Sequence, residues 1–179
     1  MIDNIIFHVD VNSAFLSWEA AYRKARGIDG TDLRDIPSIV GGDIEKRRGI
    51  VLAKSVPAKK YQIQTGEPVA TALRKCPFLV VVRPTYGLYA KASENFRSLL
   101  EEYSPIVEQY SVDECFMDCT HAKSKFKNPL EMANEIRTRT KAELGYTVNI
   151  GISNNKLLAK MASELEKPDK IHTLFPHEI

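Results

Sequence analysis

The order of apolar patterns predicts an α+β fold: a core running β-α, then α-β-β-α-β-α, with a small α/β segment inserted after the first strand and helix. Three observations predict it. A continuous apolar run, Ile5 to Val9, ends at Asp10. Over residues 37–76 the texture changes, and short apolar pieces alternate with glycine and basic residues. From Leu79 onward, strand-sized and helix-sized patterns alternate again.

Each element has a local reason. Residues 4–10 read as a buried central strand, since the run Ile5-Ile6-Phe7-His8-Val9 carries no charged residue before its end at Asp10. Residues 14–26 read as a helix with Ala14, Phe15, Trp18, Ala21 and Tyr22 on one face, stopped at Gly27. Within the insert, Ile39-Val40 and Ile50 to Leu52 are strand-sized, and 57–61 and 67–75 are short helical patterns. Leu79 to Val82 reads as the strand at which the core resumes. A long amphipathic helix carries Tyr86, Tyr89, Ser93, Phe96, Leu100 and Tyr103 at helical spacing. Ile106–Tyr110 and Glu114–Cys119 read as strands joined by a turn. Asn128, Pro129 and Glu131 are the N-cap, N1 and N3 of a helix that reaches about Leu144 and stops at Gly145. Thr147–Ile152 is a strand. Asn154 caps a helix with Leu157, Leu158, Met161 and Leu165 on one face. Lys167-Pro168 breaks it, and Ile171–Leu174 is a last strand. The order is that of a ferredoxin-like βαββαβ sheet with helices on one face.

Composition narrows the classes. The chain has 179 residues, 44% hydrophobic and 27% charged, as in ordinary globular proteins. The run at the N-terminus is too short, and bracketed by Asp3 and Asp10, to serve as a signal peptide. No stretch approaches the roughly 20 apolar residues of a membrane helix. Cys76, Cys115 and Cys119 are an odd number without a close pair, which suggests a reducing compartment such as the cytoplasm and core positions rather than ligands. A net charge of +2 is weak for a domain that grips DNA by itself. The basic residues do gather in the first half, at Lys46-Arg47-Arg48, Lys54, Lys59-Lys60 and Arg74-Lys75.

Three acids stand out. Asp10 ends the first strand, and Asp113 and Glu114 sit at the turn between two others. One sheet can bring a strand end and a neighbouring hairpin together. Such a cluster repels itself unless cations neutralise it, which suits two Mg²⁺ ions. Taken singly, each acid reads equally as a solvated strand-end residue, and spacing alone leaves both readings open.

Several motifs resolve this by resemblance. Tyr110-Ser111-Val112-Asp113-Glu114-Cys115-Phe116-Met117-Asp118 resembles the S-[IV]-D-E-x-[FY]-[LM]-D stretch of the Y-family (translesion) DNA polymerases. Phe7-His8-Val9-Asp10-Val11-Asn12-Ser13-Ala14-Phe15 resembles their first strand and turn. Gly151-Ile152-Ser153-Asn154-Asn155-Lys156 through Ala162, with Lys167-Pro168, resembles their GIS-x-NK-x-x-AK-x-A…KP stretch. The segments occur in the family's order across essentially the whole chain.

The resemblance implies a palm at 1–27 and 77–179, with fingers at 28–76. It implies that Asp10, Asp113, Glu114 and the Val11 carbonyl hold the metals, so Asn12, where the family often has an acid, costs nothing essential. It implies that Phe15 is a steric gate against a 2′-OH, that backbone N–H groups of Ser13, Ala14 and Phe15 cradle phosphate, and that Lys167 binds the triphosphate. Read without it, Phe15 packs its helix and Lys167 is a helix-end lysine that favours the dipole. The fingers depart from the pattern. Ala53, Val56 and Lys59 stand where the family has Thr, Tyr and Arg, and Lys does not replace a bidentate Arg. Lys54, Ser55, Lys59 or Lys60 are the compensating donors, or a basic solvated surface.

The activity implied is template-directed addition of a dNTP to a primer 3′-OH, with low fidelity and lesion bypass in DNA repair. The partners implied are primer-template DNA and, through a C-terminal part, a sliding clamp. The chain ends soon after Pro176 without a helix-hairpin-helix thumb, so a truncated and catalytically incompetent piece acting as a nucleotide-binding or interaction module is the alternative. A nucleotide cyclase, suggested by Gly41-Gly42-Asp43, is disfavoured, because that motif lies in the insert and a steric gate excludes ribonucleotides.

Overall fold

In the computed structural model the described residues are 4–28, 30–42, 49–121, 126 and 128–178. Asp3, Asp43, Lys46, Arg47 and Arg48, named above, lie outside them. The chain divides into two compact units, one formed by Met1–Asn12 with Ala90–Ile179 and one by Ser13–Tyr89.

The first unit is built on a five-stranded sheet. Its strands are β1 (Ile6–Val11), β5 (Val107–Gln109), β6 (Glu114–Asp118), β7 (Val148–Ser153) and β8 (Ile171–Thr173), in the order β5-β6-β1-β7-β8. β1 pairs antiparallel with β6 and β7, and β8 runs parallel to β7. The register sorts the two faces. Phe7, Val9 and Val11 align with Met117, Cys115, Ile152, Ile150 and Val148 on one face, all buried and apolar. His8 and Asp10 align with Phe116, Glu114, Gly151 and Asn149 on the other. The run before Asp10 is therefore one apolar face interleaved with a buried polar one. Cys115 and Cys119 are buried and unpaired.

Helix α5 (Pro129–Arg139) begins where its caps predict: Asn128 Oδ1 accepts from Glu131 N at 2.9 Å. It continues as a π-helical turn, Thr140–Leu144, and ends at Gly145 with φ 80°. Helix α6 (Lys156–Glu164) packs on β1, β7 and β8. Two expectations fail at α6. Its cap is Asn155, whose side chain accepts from Leu158 N at 2.9 Å, and not Asn154. Its buried face is Leu158, Ala159, Ala162 and Ser163, while Leu157, Met161 and Leu165 are exposed. The cause is Gly151. A Cβ there would lie 1.9 Å from Ala159 O and 2.4 Å from Ser163 N, so the helix backbone rests directly on the strand, with the small side chains of Ala159, Ala162 and Ser163 at the contact.

The second unit holds α1 (Ala14–Ala25), β2 (Ser38–Gly41), β3 (Val51–Lys54), α2 (Val56–Lys59), α3 (Val69–Lys75) and β4 (Val80–Val82). Helix α4 (Tyr86–Glu101) begins in this unit and runs on into the first. The small sheet has the order β3-β2-β4, with β4 parallel to β2. The strand at 79–82 thus joins the small sheet instead of resuming the large one. Ile39, Val51, Ala58, Ile63, Val69, Ala72, Cys76 and Leu79 form this unit's core. In α1 the buried residues are Ala14, Leu16, Ser17, Trp18, Glu19 and Ala20, a broader face than the spacing predicts, with Phe15 half-buried at its edge.

Candidate active site

The site of the first unit follows from the register of β1. Asp10 stands directly opposite Glu114, so two carboxylates share one face of adjacent strands. β1 is pinned at its end: Val11 N donates to Asp113 O at 3.0 Å and Asn12 N to Thr147 O at 3.0 Å. The Asp113 side chain accepts from the Ser111 hydroxyl at 2.7 Å, and that oxygen also lies 3.2 Å from Glu114 Oε2. Helix α6 and the segment after it bring cations to the acids. Lys160 pairs with Glu114 Oε1, and Lys167 pairs with Asp10 Oδ2 and, at 2.7 Å, with Glu164 Oε1.

Burial and charge set the acidities. Burial raises the Asp10 carboxyl to about 6, reinforced by the Asp113 and Glu114 charges and only partly offset by Lys167. Burial also pushes Glu114 upward, but the bond and charge of Lys160, with His8 and Ser111, hold it below the ordinary carboxylate value. His8 is buried at the foot of the pair, and burial with the nearby Lys160 depresses its imidazole to about 4.

Among the described residues, Asp10, Glu114 and Glu164 place carboxylate oxygens within 4.8 Å of one another. The all-oxygen donor set suits a hard divalent cation, and two lysine ammoniums already lie on the same carboxylates. Asp113 is not in that trio. Glu164 and Lys160 escape the reading by spacing, because α6 brings them to the strands from far along the chain. His8 does leave a signal: two residues before Asp10 on a strand, it must share the Asp10 face.

A buried amide pair holds the Lys167 segment. Asn149 Nδ2 donates to Ser163 O at 2.9 Å and Glu166 O at 2.6 Å. Its Oδ1 accepts from Asn12 Nδ2 at 3.1 Å and Lys170 N at 3.2 Å. Asn12 Oδ1 accepts from Asp169 N and the Thr147 hydroxyl. Asn12 therefore serves as a clamp, tying the end of β1 to the loop that carries Lys167.

In the second unit, Ser13 is the N-cap of α1 in a left-handed conformation, φ 48° and ψ 51°, with no side-chain cap bond. Ala14 is buried. Phe15 stacks on Tyr89, centroids 4.6 Å apart and planes at 19°, and Tyr89 donates its hydroxyl to the buried Glu19 at 2.8 Å. Ala53 is buried in β3, Val56 is exposed at the start of α2, and Lys59 is exposed at its end. Two proposed donors are engaged: Lys54 Nζ donates to Ile63 O at 2.6 Å, and Ser55 Oγ caps α2 and donates to Ile36 O. Lys59 and Lys60 are the exposed ones.

Solved structures share this architecture. DinB from Sulfolobus solfataricus superposes with a TM-score of 0.84 at 25% identity over 98% of this chain and 49% of that one. The insertion ternary complex of Dbh DNA polymerase does so with a TM-score of 0.84 over 98% and 50%. The fold is that of the Y-family DNA polymerases. The model of the IMS (impB/mucB/samB) family matches residues 9–164, and the chain belongs to that family. It is 54% identical over 178 residues to a protein of Clostridium acetobutylicum named DNA polymerase IV, covering 99% of this chain and 44% of the relative. It is 41% identical over 164 residues to DNA polymerase IV 1 of Bacillus subtilis, covering 92% and 38%. The chain thus spans less than half the length of these relatives. Among the described residues, no helix is long and apolar enough to cross a membrane.

Proposed function

We propose that this chain is the palm and fingers of a template-directed DNA polymerase of the translesion type, which transfers a dNTP to a primer 3′-OH. The observation that carries the reading is Asp10 opposite Glu114 on adjacent strands, each already matched to a lysine, in a chain of the DNA polymerase IV kind. The sheet order, with the outer pair β5-β6 on one side of β1 and β7 on the other, supports a ferredoxin-like palm. The palm comprises 1–27 and 77–179 and the fingers 28–76.

Asp10, Asp113, Glu114 and the Val11 carbonyl would hold two Mg²⁺ ions, with Glu164 at hand as a further carboxylate. When bound, the ions supply Lewis-acid activation of the attacking hydroxyl and charge stabilisation of the leaving pyrophosphate. Lys167 offsets triphosphate charge, and the N–H groups of Ser13, Ala14 and Phe15 at the start of α1 donate to phosphate oxygens. Phe15, propped by Tyr89, excludes a ribose 2′-OH. Ala53 is buried and takes no part through its side chain, while Lys59 and Lys60 are exposed cations of the fingers open to the triphosphate. Primer-template DNA is the partner, and the setting is the cytoplasm.

Calorimetric titration of a dNTP, and then the matching rNTP, with Mg²⁺ tests the reading. The expected result is dNTP binding, much weaker rNTP binding, and no signal from Asp10→Ala/Asp113→Ala. Equal binding of both nucleotides refutes the gate. No binding by the folded chain means that the site assembles only with primer-template or that Ala53, Val56 and Lys59 have disabled it.

A further inference from the structure

The second unit buries an acid that the proposed function leaves unused. Glu19 stands in α1 one turn beyond Phe15 and is only 3% exposed. Glutamates are almost never buried to this degree without a partner. Among the described residues, the Glu19 side chain has one hydrogen-bond partner, the Tyr89 hydroxyl, which donates to Oε1 at 2.8 Å. Burial, reinforced by that bond, pushes the Tyr89 phenol above its ordinary value, so it keeps its proton and remains the donor.

A carboxyl held in a core by a single hydrogen bond is a costly choice for stability alone. An unbranched apolar side chain of the same length would fill the space. What the bond adds is direction. Phe15 and Glu19 are four residues apart on one face of α1, so Tyr89 lies along that face with its ring on Phe15 and its hydroxyl on Glu19. The other rings around Tyr89 meet it at an angle: Trp18 at 5.9 Å and 37°, and Tyr86 at 6.0 Å and 78°. Stacked rings tolerate sliding offsets, so packing alone does not set how far Tyr89 reaches beneath Phe15. A short, directional bond at the far end of the ring does.

We propose that Glu19 is a positioning residue for sugar selection: it fixes the Tyr89 hydroxyl, and Tyr89 so fixed keeps Phe15 from yielding to a ribose 2′-OH. The inference rests on the gate reading of Phe15. Glu19→Gln keeps an acceptor oxygen, whereas Glu19→Met keeps the length and removes the acceptor. Glu19→Met/Tyr89→Phe removes acceptor and donor together, which leaves no orphaned polar group and is close to neutral for stability.

Two measurements test it. In NMR of the nucleotide-free chain, the Phe15 and Tyr89 ring protons should be shifted upfield by each other's rings. The shifts should persist in Glu19→Gln and shrink in Glu19→Met, and a folded Glu19→Met that keeps them overturns the proposal. Calorimetry with Mg²⁺ and a dideoxy-terminated primer-template should show an rNTP binding Glu19→Met about three- to tenfold more tightly, the span of one ordinary hydrogen bond. The dNTP affinity should stay the same, and Glu19→Gln should match the unsubstituted chain. A merely structural role weakens both nucleotides together or changes neither, and either result overturns the proposal. If Glu19→Met does not fold, the double variant decides on the same two readouts. If the unsubstituted chain binds dNTP and rNTP equally, the gate reading falls and this proposal with it, a result distinct from a chain that discriminates and is indifferent to Glu19.

Discussion

Replacing Gly151 by alanine should separate the fold's largest packing constraint from its chemistry. The added Cβ would meet Ala159 O at 1.9 Å, Ser163 N at 2.4 Å and Ala162 Cβ at 3.0 Å. Ordinary carbon–oxygen contacts fall at about 3.3–3.6 Å, so α6 has to retreat by roughly 1.5 Å. Two of these three atoms are backbone, and no side-chain rotation relieves them. Retreat stretches the Ser163 Oγ–His8 and Asn149–Ser163 O hydrogen bonds, about 1 kcal/mol each. It also loosens the dispersion contacts of Ala159 and Ala162. The total is about 3–4 kcal/mol, beyond the usual range for one extra methyl in a core. At about 2–4 °C per kcal/mol for a chain of this size, the thermal midpoint should fall by roughly 10 °C. Circular dichroism on the metal-free chain measures it. Gly87→Ala, where a Cβ meets nothing within 4 Å, is the control and should hold or raise the midpoint. A fall of less than about 2 °C for Gly151→Ala would refute the close-approach argument.

Asp10 makes a pH-dependent contribution. Its folded value of about 6 lies above the ordinary 3.8, so its stabilising contribution is complete below about pH 4 and is lost as pH rises through about 6. The loss approaches roughly 3 kcal/mol at neutral pH. Urea midpoints of Asp10→Asn and the unsubstituted chain should therefore draw apart from pH 4 to 7 in the variant's favour, with Mg²⁺ narrowing the gap; parallel profiles contradict this. Asn12→Asp turns the Nδ2 donor facing Asn149 Oδ1 into an acceptor and should cost about 2 kcal/mol in urea denaturation, whereas an unchanged midpoint removes the clamp. Phe15→Ala should narrow the dNTP/rNTP affinity gap by about tenfold or more in calorimetry, and an unaltered gap dismisses the gate.

What the sequence makes legible is what local chemistry decides. The caps of α5 and the stop at Gly145 are written in Asn128, Pro129, Glu131 and the glycine itself. The strand end at Asp10 and the hairpin at Asp113-Glu114 are written in an apolar run and a turn. Pairing is not written there. Residues 79–82 read correctly as a strand, but nothing in Leu79-Val80-Val81-Val82 says that Ser38–Gly41 is its neighbour. Lys160, Glu164 and the Asn12–Asn149 clamp escape for the same reason, since each depends on a contact more than a hundred residues away or on where α6 comes to rest.

The inverted face of α6 shows how one residue can overrule the hydrophobic pattern. Leu157, Met161 and Leu165 recur at four-residue spacing and read as the buried stripe. The sheet beneath offers Gly151 flanked by Asn149 and Ser153, and a helix there gains most by seating its backbone against the glycine. That seat takes Ala159, Ala162 and Ser163, with Leu158 buried beside them, which turns Leu157, Met161 and Leu165 outward. The same rotation directs Lys160 to Glu114 and the Ser163 hydroxyl to His8, and Lys167, just beyond the helix, reaches Asp10. A wider strand residue at 151 would push α6 off the strand, and the acids would lose the cations and the serine that now surround them. Gly151 therefore belongs to the site's architecture as much as to its packing.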